Sequence, residues 1–92
     1  MRDLKKLTRE QRRRFFVALS HFISDLQEIE AGRLADFRHG LRVKPLTDIP
    51  DVMEMTWAPD GRATFSIGSE VGSGKRHVRW RRCGTHSIIR NP

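Results

Sequence analysis

Two runs of alternating apolar and polar residues, Val52–Ala58 and residues 62–68, flank Pro59-Asp60-Gly61 and constrain this chain more than any other feature. Proline pre-sets the first turn position and glycine tolerates a left-handed third one, so the segment reads as a β-hairpin. A three-residue loop sets Met55 opposite Phe65, Met53 opposite Ile67 and Trp57 opposite Ala63, all on one face. Glu54, Thr56, Arg62, Thr64 and Ser66 then take the other face. A four-residue loop would set Met55 against Thr64 and mix the faces, so the shorter loop is expected. An apolar sheet face needs a covering layer.

The first third of the chain supplies one. Thr8-Arg9-Glu10-Gln11 fits a capping box, in which threonine accepts from a first-turn amide and glutamine reaches back. Phe15, Phe16, Leu19, Phe22, Ile23, Leu26 and Ile29 follow at helical spacing, within an arc of about 140°. Gly32 suits a C-cap. The spacing predicts one amphipathic helix over residues 8–31 with this stripe packed in the core. Docking of the aromatics on a partner helix is the alternative reading. Arg12, Arg13 and Arg14 read as a solvated first turn.

Residues 32–40 read as a connector, with a second short helix in view around residues 34–37. Residues 41–44 alternate with period two, and Pro45 limits them to a short or edge strand. Residues 69–75 contain Gly72 and Gly74 and read as a mobile loop, whose Gly-Ser-Gly-Lys stretch lacks the spacing of a nucleotide-binding loop. Residues 77–83 are the last expected strand, with Val78 and Trp80 inward and His77, Arg79 and Arg81 outward. Gly84 is expected to end it, and residues 85–89 to continue as an extended tail. The expectation is an α+β fold, a single domain over residues 1–92, with the helix on a mainly antiparallel sheet of about four strands.

Charge narrows the partner. Eighteen Lys and Arg against 11 Asp and Glu give +7, and no acidic residue follows Glu70 while Lys75, Arg76, Arg79, Arg81, Arg82 and Arg90 do. A one-sign segment of this kind points to a polyanion, RNA foremost. Cys83 is the only cysteine, which excludes an internal disulfide and thiolate-rich zinc sites. His21, His39, His77 and His86 show no metal-ligand spacing, so neither a metal nor a small-molecule cofactor is expected. No apolar run reaches the ~20 residues that span a bilayer, and no secretory leader is apparent, so a cytoplasmic protein without a membrane partner is expected.

Cleavage of RNA without a metal needs a base for the 2′-hydroxyl, cations for the phosphorane charge and an acid for the leaving 5′-oxygen. His86, Glu54 and Lys44 are the candidates for proton transfer. Arg62, Arg81 and Arg82 are the candidates for charge stabilisation, because guanidinium forks match phosphate oxygens. Arg42, Arg76, His77, Arg79 and Arg81 are the expected RNA contacts. Carboxylates are too sparse for a glycosidase or a metal-dependent nuclease, and no Ser-His-Asp order stands out.

Lys44-Pro45-Leu46, Gly61-Arg62-Ala63-Thr64-Phe65 and the segment Arg81-Arg82-Cys83-Gly84-Thr85-His86-Ser87-Ile88-Ile89 occur in an order that resembles the RelE/ParE superfamily of bacterial toxin–antitoxin systems. The likeness covers about residues 41–90. It implies a helical portion against a twisted antiparallel sheet. It also implies that Lys44 helps the base, that Arg62 contacts the scissile phosphate, and that Arg82 and His86 lie in the reactive cluster. The activity implied is ribosome-dependent mRNA cleavage, with a cognate antitoxin as protein partner. Many active members carry a tyrosine near the C-terminus and this chain has none, which motivates the alternative of a non-catalytic binder, either a gyrase inhibitor of the ParE type or a nucleic-acid-binding module.

Overall fold

The computed structural model describes residues 2–70 and 76–92. It is α+β: one helix, α1 (Arg9–Glu30), packs on a four-stranded antiparallel sheet. Strands β1 (Lys44–Pro45), β2 (Val52–Ala58), β3 (Gly61–Glu70) and β4 (Arg76–Thr85) lie side by side in chain order. Three short 3-10 turns, Arg2–Lys6, His39–Leu41 and His86–Arg90, dock around this frame. Among the described residues, no helix is long and apolar enough to cross a membrane.

The capping box starts α1 as expected. Thr8 Oγ1 accepts from the Gln11 amide at 3.1 Å, and Gln11 Oε1 accepts from the Thr8 amide at 2.8 Å. At the other end Gly32, at φ 77, takes the left-handed position that glycine occupies without steric cost. Phe15 and Phe22 are buried to 1% exposure, against Met55 and Phe65 at 0%. Trp80 meets Phe15, Phe22 and Phe65 at ring-centroid distances of 6.1, 5.1 and 5.0 Å.

The stripe is narrower than expected. Phe16 is 50% and Ile23 48% exposed, while Leu19, Leu26 and Ile29 are half-buried. A helix lying on a sheet buries roughly a 100° stripe, so the margins of a wider apolar arc face solvent. Asp25 occupies part of the buried side instead, accepting from the Arg38 amide at 2.9 Å and from its guanidinium twice at 2.8 Å. These bonds, the side-chain ones foremost, hold its carboxyl at about 2.

The connector and first strand also differ from expectation. No helix forms at residues 34–37; a 3-10 turn sits at His39–Leu41 and buries Leu41 in the core. Arg42 then adopts φ 48, a left-handed corner that confines β1 to Lys44–Pro45 rather than residues 41–44. A second left-handed corner, Asp51 at φ 64, leads into β2.

The hairpin keeps its faces and changes its partners. Met53 pairs with Phe65 and Met55 with Ala63, two residues away from the expected register, so side-chain parity is preserved. Only Pro59 and Asp60 lie between the strands, and a bulge between Thr56 and Ala58 takes up the odd residue. Gly61 is not left-handed. Its role is close approach: a Cβ there would lie 2.5 Å from the Trp57 ring.

The end of the sheet runs longer than expected. Ser69 and Glu70 extend β3, and the rest of the expected loop, residues 71–75, lies outside the described residues. Gly84 does not break β4 but pairs with Arg62. A bulge between Thr64 and Phe65 leaves the Arg82 amide to donate to Thr64 Oγ1 at 3.1 Å. The tail is a 3-10 turn rather than extended. It packs on the sheet face opposite α1, where Ile88 is buried and a Cβ on Gly84 would meet Ile88 at 2.9 Å. That face is therefore partly covered, with Val52, Glu54 and Thr64 buried.

Candidate functional site

Among the described residues, clefts of about 510, 340 and 320 Å³ are present, and the first and last of these gather candidate chemistry. The larger, about 510 Å³, lies between α1 and the turn end of β2, with Arg13, Arg14, Arg38 and Trp57 among its walls. Its arginines already have partners: Arg13 and Arg14 with Glu10, and Arg38 with Asp25. The smaller, about 320 Å³, lies on the sheet face away from α1 and gathers Lys44, Glu54 and His86.

Three separate elements build the smaller cleft. Lys44 on β1 stands directly across the ladder from Glu54 on β2. The C-terminal 3-10 turn brings His86 and Ile89 over them, and the β1–β2 connection adds a wall from Leu46 to Ile49. Lys44 Nζ lies 3.4 Å from Glu54 Oε1, with side-chain exposures of 64% and 8%. The carboxylate is thus a buried anchor and the ammonium a solvent-facing cation. An exposed imidazole lines the same cavity. Such a set can move a proton, with the solvent-facing Lys44 ammonium as its one fixed cation among the described residues, beside the carboxylates of Glu54 and Asp48.

The three proton-transfer candidates are brought together, and the arginines are not. Arg62 folds back over its own turn, with Nη1 donating to the carbonyls of Ala58, Pro59 and Gly61 at 3.3, 3.3 and 2.9 Å. Arg82 turns to Asp3 in the first 3-10 turn, Nε to Oδ2 at 2.8 Å, and donates through Nη1 to the Asn91 carbonyl at 3.0 Å. Neither lines the cleft. Arg81 Nε donates to the Pro92 carbonyl at 3.2 Å. Arg79 pairs with Ser66 across the ladder and is exposed, as are His77 and Arg42. The Arg76 side chain lies outside the described residues.

Two residues escaped the sequence reading. Asp48 lines the cleft from a loop whose Thr-Asp-Ile-Pro sequence signals only a turn. Asp3 accepts from the Cys83 amide at 3.0 Å as well as from Arg82, across 80 and 79 residues of chain. No local pattern carries such a contact. The Arg82 hydrogen bond leads in lowering the Asp3 carboxyl, whereas burial, with the nearby Asp3 charge, pushes the Cys83 thiol up to about 12.

Among the described residues no cluster of three or more histidine, cysteine or acidic side chains is placed to hold a metal. No family model, no curated protein and no solved structure matches the chain.

Proposed function

We propose that this chain is a RelE/ParE-like toxin that cleaves RNA, with the Lys44–Glu54–His86 cleft as its reaction centre. The observation that carries the reading is the convergence of an ammonium, a buried carboxylate and an imidazole from three elements on one small cavity. The order of the Lys44, Arg62 and His86 segments, shared with that superfamily, and the charge of +7 support it.

In this reading the 2′-oxygen attacks the phosphorus and the bond from phosphorus to the 5′-oxygen breaks. A 2′,3′-cyclic phosphate and a free 5′-hydroxyl result. The Glu54 carboxylate receives the 2′-hydroxyl proton, and the Lys44 ammonium, protonated throughout, faces the charge that grows on the phosphorane. His86 delivers a proton to the departing 5′-oxygen. Exposed Arg42, Arg79 and Arg81 hold flanking phosphates. The setting is the cytoplasm and the substrate is mRNA on the ribosome, with a protein antitoxin as the neutralising partner.

Induction in bacteria, with mapping of RNA ends, tests the reading. Growth should stop, with new cuts inside coding regions. His86→Ala should slow cleavage by about 10²–10⁴-fold, the usual contribution of a proton-transfer group, and Lys44→Ala by about 10²–10³-fold, that of a charge-stabilising one. Unchanged cutting by both variants would remove the assignment.

The internal engagement of Arg62 and Arg82 favours a second reading, a basic toxin that binds without cutting. Growth arrest with intact RNA, and gyrase inhibition in a supercoiling assay, would select it.

A further inference from the structure

Helix α1 carries a second stripe that the core does not use. Arg9, Arg13, Phe16, Ser20, Ile23, Gln27 and Glu30 alternate by four and three residues, and every one is exposed. This spacing keeps a single seam along a helix, the pattern by which two helices lie side by side. Phe16 and Ile23 are among the chain's large exposed apolar side chains, at 50% and 48%. Ser20 between them is small enough to admit a close neighbour.

The charges along the seam are ordered. Arg9, Arg12 and Arg13 stand at its beginning, where Glu10 holds Arg13 and Arg14, and Glu30 stands at its end beside Glu28, which pairs with Arg33. Arg9 and Arg12 form no ion pair among the described residues. A helix basic at one end and acidic at the other complements an antiparallel copy of itself. A twofold axis beside Leu19 and Ser20 sets Arg9 against Glu30, Arg12 against Gln27 and Phe16 against Ile23. Each pair occurs twice, as a self-complementary interface requires.

We propose that two copies of this chain associate through antiparallel α1 helices, burying Phe16 and Ile23 at the centre and pairing opposite charges at the ends. The chain's charge of +7 opposes self-association, but repulsion between distant groups is screened beyond about 8 Å at physiological salt, whereas facing pairs are not. The 22-residue helix offers a face about 33 Å long and 10 Å wide. This is smaller than the ~800 Å² per partner of a standard interface, so the dimer is a weak, transient one.

Sedimentation equilibrium on the full chain and two charge-reversed variants tests this. Arg9→Glu with Arg12→Glu makes both ends of the seam acidic; Gln27→Arg with Glu30→Arg makes both ends basic. Each change suits the helix dipole at its own end, so both variants should fold, as circular dichroism will verify. The wild-type chain should dimerise and each variant alone should be monomeric. An equimolar mixture of the two should regain association to within a few-fold of wild type, because each acidic end then meets a basic one. A wild-type chain that stays monomeric up to about 1 mM overturns the proposal. Variants that still dimerise singly, or a mixture that stays monomeric, overturn it too.

Discussion

Asp3 ties the first turn of the chain to its last strand. Its carboxylate accepts from the Arg82 guanidinium and from the buried Cys83 amide on the outer strand β4, and it is itself buried. Asp3→Ala leaves a buried amide without its acceptor, and should destabilise the fold by about 1–3 kcal/mol in urea unfolding. Among the described residues, three carboxyls are held below their ordinary values. Glu10, lowered to about 2 by Arg13 first, is solvent-exposed and contributes little. The pH dependence therefore follows from Asp3, lowered from 3.8 by Arg82 first, and Asp25, lowered from 3.8 to about 2 by Arg38 first. A depressed folded value favours the unfolded chain as the proton-bound state. Their contribution is therefore present above the ordinary value of 3.8 and is lost as pH falls below it, for Asp25 through about 2. Thermal melts between those limits should show the decline, and Asp25→Asn should flatten it. Cys83, with its thiol pushed up to about 12, should react with a disulfide reagent at pH 8 only as fast as the chain opens.

Among the elements, the β2–β3 hairpin is held by an indole rather than by turn geometry. Gly61→Ala would drive a methyl group to within 2.5–2.7 Å of the Trp57 ring, which is itself buried in the core. Overpacking of this kind costs about 1–3 kcal/mol, and a fall in melting temperature without loss of strand signal should report it. The same hairpin marks what the sequence discloses. Alternation placed Met53, Met55, Ala63 and Phe65 on the core face, because a face depends only on parity. The pairing was not legible, because a slip of two residues preserves parity and the Trp57 bulge has no local signature. The capping box placed the start of α1, but the apolar arc did not separate Phe15 from Phe16. Only the position of the sheet decides which edge of an arc is covered. Lys44, Glu54 and His86 were legible as residue types, and the C-terminal 3-10 turn that joins His86 to them was not.

At the scale of the whole molecule, the charge of +7 governs encounter with polyanions. Affinity for single-stranded RNA should fall with salt at a logarithmic slope of about −0.7 per phosphate contacted. Arg79→Ala and Arg81→Ala together should reduce that slope by about 1.4, read from binding isotherms at several salt concentrations. A basic chain whose affinity ignores salt would not be a phosphate binder.

Strand order has a kinetic corollary. Every strand neighbours its own predecessor, so the ladder assembles by closing short loops, and low contact order makes for speed. The bond from Asp3 to Arg82 instead joins positions 79 residues apart. A meander that zips in milliseconds, with the Arg2–Lys6 turn settling last against its outer strand, is the expected refolding history.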